Sequence, residues 1–308
     1  MKVLVTGGAG FIGSHVVDRM VAEGHYVRAI DNLSSGKLEN IANHLKSGNI
    51  DFVKGDIRNA ETVKQCVYGV EAIVHLAAIT SVPFSFENPK LTHETNAAAT
   101  LNLLNAAAEA RVRKFILTSS CAVYGEPKYL PINEKHPTNP ISPYAESKLK
   151  AEQHCLNFIK KQLLKGVALR LFNVYDPRQG LNDYSGVITQ FLDRSKKKLP
   201  LTIHGDGLQT RDFVHVSDAV EAILSAIENE QAGGEIFNIG SGKPTSINKL
   251  AQTVSELSGV NLKVLHDTPR LGDIKHSYAD IIKAEKILGY RPRVSLRDGL
   301  RTLLTENS

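Results

Sequence analysis

An apolar strand that empties into a glycine turn constrains this chain more than any other feature. Lys2-Val3-Leu4-Val5-Thr6 runs straight into Gly7-Gly8-Ala9-Gly10-Phe11-Ile12-Gly13, and residues 14–23 continue as a helix with Val16, Val17, Met20 and Val21 on one face. Gly7, Gly10 and Gly13 let the backbone come close to a ligand, while the free amides and positive end of the helix favour a diphosphate. A second β-like run, Tyr26-Val27-Arg28-Ala29-Ile30, ends in Asp31. A carboxylate at that place holds both hydroxyls of an adenosine ribose and repels a 2′-phosphate, so the expected cofactor is NAD rather than NADP. Glycines alone can merely punctuate a tight turn; the turn, the helix and Asp31 together specify a dinucleotide site.

Composition bounds the rest. The chain has 308 residues, 42% of them hydrophobic and 22% charged, enough for a large core and a smaller second domain. No apolar run approaches the roughly 20 residues that span a bilayer, and Met1-Lys2 leads directly into a core strand, so a cytoplasmic protein without a membrane partner is expected. Cys66, Cys121 and Cys155 lie far apart without metal-ligand spacing, which fits reduced thiols and no bound metal. The net charge of +5 is spread along the chain, its densest run being Lys196-Lys197-Lys198. That pattern reads as solvated surface rather than a nucleic-acid site, though it would help steer a dianionic nucleotide.

Short apolar runs alternate with helical patterns. After the first two strands come Asp51-Phe52-Val53, Ala72-Ile73-Val74-His75-Leu76-Ala77-Ala78, Lys114-Phe115-Ile116-Leu117, Val167-Ala168-Leu169-Arg170-Leu171 and Glu235-Ile236-Phe237-Asn238-Ile239. Helices are expected over 93–110 and over 143–164, the second with Leu149, Leu156, Ile159 and Leu163 along its apolar stripe. The expected fold is α/β: a Rossmann-type doubly wound parallel sheet with a smaller mixed α/β substrate-binding lobe. Residues 1–172, with returns near 213–241, are expected to form the NAD-binding domain. Residues 173–212 and 242–308, broken up by prolines and glycines, form the other lobe.

A tyrosine four residues before a lysine occurs twice, at Tyr124 with Lys128 and at Tyr144 with Lys148. Only a helix brings such a pair onto one face, and Gly125 and Pro127 interrupt the first. Ser142-Pro143 before the second is a capping residue followed by a helix-initiating proline. On that helix the Lys148 ammonium, with the positive nicotinamide, is expected to lower the pKa of Tyr144 and make it a general base. Thr118-Ser119-Ser120 ends a strand upstream, where a hydroxyl reaches the ligand crevice.

With these residues in place the chain resembles, along nearly its whole length, the extended short-chain dehydrogenase/reductase family, and within it the UDP-galactose 4-epimerase-like nucleotide-sugar epimerases. The likeness rests on Thr6-Gly7-Gly8-Ala9-Gly10-Phe11-Ile12-Gly13, Asp31-Asn32, Asp56-Ile57, His75-Leu76-Ala77-Ala78, Asn96, Thr118-Ser119-Ser120-Cys121-Ala122-Val123-Tyr124-Gly125 and Ser142-Pro143-Tyr144 with Lys148. The resemblance implies that Phe11 and Ile12 contact the cofactor, that Asp31 and Asn32 hold the adenosine ribose, and that Asp56 and Ile57 flank the adenine. It also implies that Leu76, Ala77, Ala78 and Asn96 line the remaining cleft, and that Lys148 bonds the nicotinamide ribose. Within Arg170-Leu171-Phe172-Asn173-Val174-Tyr175-Asp176-Pro177-Arg178 it assigns Asn173 to a substrate phosphate, with Asp176 standing where a glycine is usual. Arg211 and Arg270 would grip the diphosphate, Asp273 the ribose of the nucleotide, and Ser277 would stand where some epimerases carry a bulky tyrosine beside the sugar.

The same likeness separates chemistries. Relatives that dehydrate a sugar carry Asp-Glu immediately after the active hydroxyl, decarboxylases carry a glutamate at the second of these positions, and epimerase-reductases place a cysteine there. This chain has Cys121-Ala122. The expected reaction is therefore epimerisation of a UDP-hexose at carbon-4 through a transient 4-keto sugar, with Ser120, Tyr144 and Lys148 catalytic. N-acetylated hexoses are expected to fit beside the small Ser277. A dehydratase or reductase of the same family, or a non-catalytic NAD-binding protein, are the alternatives. As in similar proteins, the helices over 93–110 and 143–164 would pair in a homodimer.

Overall fold

The central strands of the main sheet are buried on both faces, and that decides the architecture. In the computed structural model, which describes residues 1–180, 186–269 and 273–305, Val3, Leu4 and Val5 of the first strand are all 0% exposed. Such strands must be covered on both sides, which parallel order with crossover helices achieves. The twelve strands are β1 (Lys2–Thr6), β2 (Tyr26–Asp31), β3 (Ile50–Lys54), β4 (Ala72–His75), β5 (Lys114–Ser120), β6 (Gly166–Leu171), β7 (Asn173–Tyr175), β8 (Leu201–His204), β9 (Thr210–His215), β10 (Ile236–Ile239), β11 (Pro244–Ser246) and β12 (Val264–Asp267). Seven form one sheet in the order β10-β6-β5-β4-β1-β2-β3, and every neighbouring pair is parallel. This is the expected Rossmann-type α/β fold.

The order reverses between β1 and β4, whose register pairs Thr6 with His75. Crevices at such a reversal, outside the carboxyl ends of the strands, are where this architecture binds ligands. Gly7, Asp31, Leu76 and Cys121 therefore leave the sheet along one edge. One apolar cluster, including Val5, Val16, Val74 and Ile223, covers one face of the sheet. A second, including Leu4, Ile73, Leu103 and Phe115, covers the other.

The smaller region has a three-stranded sheet, β11-β9-β7, and a two-stranded parallel sheet, β12-β8. Its own cluster packs Tyr175, Phe191, Leu201, Phe213, Leu250 and Leu300. Among the described residues no helix is long and apolar enough to cross a membrane, and no group of three His, Cys, Asp or Glu is arranged to hold a metal.

Three expectations need correction. The strand expected over 72–78 stops at His75: the Leu76 amide is shared between the Thr6 carbonyl and hydroxyl at 3.2 Å each, and the Ala77 amide turns to the hydroxyl at 3.2 Å. The helix over 93–110 is three pieces, Pro89–His93, a π-turn at Glu94–Ala98 and Ala99–Glu109. The helix expected over 143–164 ends at Lys160, leaving Leu163 outside it and 51% exposed. Its buried face is not the leucine stripe but Ala145, Ser147, Lys148, Ala151, Glu152 and Cys155. The period is helical as expected; small and polar side chains face inward because each polar one finds a partner there.

Candidate active site

The glycine turn is as tight as backbone allows. Gly7 has φ +71°, which only glycine adopts freely, and a Cβ on Gly13 would stand 2.0 Å from the Gly7 carbonyl oxygen. The helix Phe11–Ala22 thus sits directly on the turn. It starts at Gly10 with no side-chain cap and no acid in its first turn, so its leading amides are left for an anion.

Asp31, the last residue of β2, is buried with its carboxylate fixed by the amides of Ala9 (3.1 Å) and Leu33 (2.8 Å). Gly36 was missed by sequence reasoning: a Cβ there would lie 2.8 Å from an Asp31 carboxylate oxygen, so glycine lets the loop close over the acid. Asn32 donates to Asp56 at 3.2 Å. Arg58, also missed, grips the same carboxylate and holds Asp56 down at about 2, well below the usual carboxylate range. Ile57 is buried in one apolar cluster with Ile30 and Val63. Leu76, Ala77 and Ala78 are half-buried along the crevice, as are Phe11 and Ile12 at the turn.

Asn96 does not line the cleft with free valence. Within the π-turn its side chain clamps both the amide and the carbonyl of Ile79 at 2.8 Å and donates to the Ser147 hydroxyl at 2.9 Å. Its role is to hold the loop after β4. The extra residue per turn of a π-helix commonly marks such sites.

Ser120 ends β5, and its hydroxyl caps the 3₁₀ turn Cys121–Tyr124 by accepting from the Ala122 amide at 3.2 Å. Tyr144 is in the first turn of the helix Pro143–Lys160, which Ser142 caps through the Ala145 amide (3.2 Å) as the sequence implied. Its buried phenol faces Ser120, whose hydroxyl favours the ionised form. The expectation that Lys148 lowers this phenol is corrected. Burial pushes Tyr144 up to about 12, opposed by the Ser120 hydroxyl. The Lys148 ammonium is buried and donates to the Thr118 carbonyl. Burial lowers Lys148 to about 8, against the pull of Glu152 one turn on. Glu152 was missed. It pairs inside the protein with Arg170 of β6, Nε to Oε2 at 3.0 Å, and the guanidinium lies 4.7 Å from the Tyr124 ring centroid. Tyr124, the rejected tyrosine, is buried with its hydroxyl donating to Asn238 at 2.7 Å.

On the opposite wall, Asn173 at the start of β7 has a buried Oδ1 with no hydrogen-bond partner among the described residues. Arg211 of β9 donates to the Thr210 carbonyl at 2.8 Å and pairs with Asp273. Arg270 lies outside the described residues. Ser277 is buried against Cys121, whose thiol burial pushes up to about 11, leaving it neutral. Asp212, next to Arg211, was not singled out by sequence. Its buried carboxylate collects the amides of Ser241 (2.6 Å), Gly242 (3.0 Å) and Ala279 (3.1 Å), tying two loops to β9 behind the site.

Asp176, the departure from glycine, is accommodated. Its φ is not left-handed, and its carboxylate lies between His15 of the dinucleotide helix (3.1 Å) and His215 of β9 (3.4 Å).

A glycine cradle, a buried ribose-side acid and a Ser-Tyr-Lys set on one sheet edge define an NAD-dependent enzyme of the short-chain dehydrogenase type. The family model for the NAD dependent epimerase/dehydratase family matches residues 3–240, and the chain belongs to that family. It is similar to the UDP-glucose 4-epimerase of Mycolicibacterium smegmatis, 39% identical over 302 residues, 97% of this chain and 96% of the relative. Its fold is similar to a UDP-glucose 4-epimerase of Thermotoga maritima solved with UDP-glucose (TM-score 0.94, 38% identity, 99% and 98% of the two chains). It is also similar to a UDP-N-acetylglucosamine 4-epimerase of Methanobrevibacter ruminantium in complex with UDP-N-acetylmuramic acid (TM-score 0.93, 36% identity, 99% and 97%). The residues present fit NAD: the uncapped amides suit its diphosphate, and the fixed Asp31 carboxylate its adenosine ribose.

Proposed function

We propose that this enzyme interconverts UDP-glucose and UDP-galactose by inverting carbon-4, as a cytoplasmic enzyme of galactose metabolism. The observation that carries the reading is the buried Tyr144 phenol facing Ser120 at the end of β5, with Lys148 buried one turn further on and no acid at Cys121-Ala122. Tyr144 takes the proton of the sugar's 4-hydroxyl while Ser120 bonds that oxygen. Bound NAD supplies the hydride acceptor and, afterwards, the hydride donor, and its positive ring supplies the charge that Tyr144 needs to ionise. Asn173 and Arg211, with Arg270 and Asp273, anchor the nucleotide end while the 4-keto sugar turns over, so that its other face is reduced. Residues 1–172 with 213–241 hold the cofactor in this division, and 173–212 with 242–308 hold the UDP-sugar.

Dehydration and decarboxylation, known among relatives, are disfavoured by the same geometry: a neutral thiol near 11 and an alanine offer no acid-base pair beside Ser120. The small Ser277 beside Cys121 supports turnover of UDP-N-acetylhexosamines as well. The exposed faces of Ala99–Glu109 and Pro143–Lys160, with Leu101, Phe158 and Leu163 along a shallow groove, support pairing with a second copy of the chain. Product analysis of a UDP-sugar panel incubated with protein and NAD tests the reading. An equilibrium mixture of gluco and galacto forms is expected, and a product of altered mass or redox state overturns it.

A further inference from the structure

The turn that holds the dinucleotide and the helix that holds Tyr144 are joined through the interior by a directed hydrogen-bond chain, with His75 at its centre. Thr6, the last residue of β1, accepts from the amides of Leu76 and Ala77 at 3.2 Å each. A hydroxyl accepts two bonds and donates one, so its hydrogen goes to His75 Nδ1 at 2.7 Å. The proton of a neutral imidazole is then on Nε2, which donates to the Thr100 hydroxyl at 2.8 Å. Thr100 donates to the Asn96 carbonyl at 2.6 Å, the Asn96 amide donates to Ser147 at 2.9 Å, and Ser147 donates to the Tyr144 carbonyl at 2.7 Å. Thr6, His75, Thr100, Asn96 and Ser147 are all at most 3% exposed. No water competes for these bonds, and at Asn96 the chain passes from the backbone carbonyl to the side-chain amide, which Ile79 also holds.

We propose that His75 is a positioning residue, whose single neutral tautomer locks the glycine turn to the Tyr144 helix so that cofactor and base are held in one register. The inference rests on the assignment of Tyr144 as base. Burial lowers His75 to about 3, which keeps the imidazole in the one charge state the chain can use at working pH.

The test is a double-mutant cycle at the two ends of the chain, Thr6→Val and Ser147→Ala, with Thr6→Ser as the conservative variant and His75→Leu at the centre. Breaking one end frees the rest, so the double variant should lose kcat by at least about threefold less than the product of the single losses. Additive losses overturn the proposal. Thr6→Ser keeps the hydroxyl and should stay within about twofold of the parent; a loss equal to that of Thr6→Val also overturns it. NAD affinity is read by titration without any turnover. Ser147→Ala, on the other helix, should weaken NAD by about threefold, whereas an unchanged affinity refutes the coupling. Should Tyr144→Phe turn over normally, the base assignment fails instead, while the NAD titration still decides the link. If His75→Leu does not fold, the end variants stand alone.

Discussion

The two walls of the crevice are built differently. On the cofactor side the polar groups are fixed by the protein itself: Asp31 by two amides, Asn96 by Ile79 and Ser147, Lys148 by Thr118, His75 by two threonines. On the substrate side Asn173 keeps a buried oxygen without a partner among the described residues, and Arg211 is held by a carboxylate that is itself one-third exposed. One wall is preorganised, and the other is completed by what binds. That suits the proposed epimerisation, in which the cofactor stays in one register while the sugar turns over between two half-reactions.

The difference between the walls predicts effects of graded size. The largest effect belongs to the residue between the walls: Tyr144→Phe should lower kcat by about 10²- to 10⁴-fold with NAD binding retained, checked by steady-state kinetics and NAD titration. On the preorganised wall, Glu152→Leu leaves the Arg170 guanidinium buried without its carboxylate and should cost about 3–5 kcal/mol in chemical denaturation. On the open wall, Arg211→Lys keeps the charge and loses the planar fork, so KM for the UDP-sugar should rise about tenfold with little change in stability. An equal stability loss in both variants would abolish the distinction. The smallest effect is a pH dependence. Burial lowers Lys148, so the ammonium is intact below about 8 and loses its proton above it. Turnover should therefore decline as pH rises through that value, and a flat profile from pH 7 to 9 would show that the charge is not needed.

Sequence reasoning reached the two walls unequally. The parallel strands were legible because burial on both faces leaves unbroken runs such as Val3-Leu4-Val5. In the smaller region, β12 has every residue exposed and β7 and β11 have three residues each, so no run or alternation marks them. The catalytic helix was placed by its cap and proline, yet its buried face was misread. Hydrophobic periodicity finds an apolar stripe, whereas here Ser147, Lys148 and Glu152 turn inward, each to a partner distant in sequence.

The sequence by itself determined the cradle, the acid at the end of β2, the Ser-Tyr-Lys set and the absence of an acid at Cys121-Ala122. These depend on residue type at short spacing, and backbone sterics and capping act locally. Tertiary structure alone decided that Tyr144 stands high at about 12 while Lys148 turns to Thr118, that Asp176 meets two histidines, and that His75 joins the turn to the helix. The physical reason is the same in each case: charge and hydrogen-bond direction in a buried site are set by neighbours that the fold, not the chain order, brings into contact.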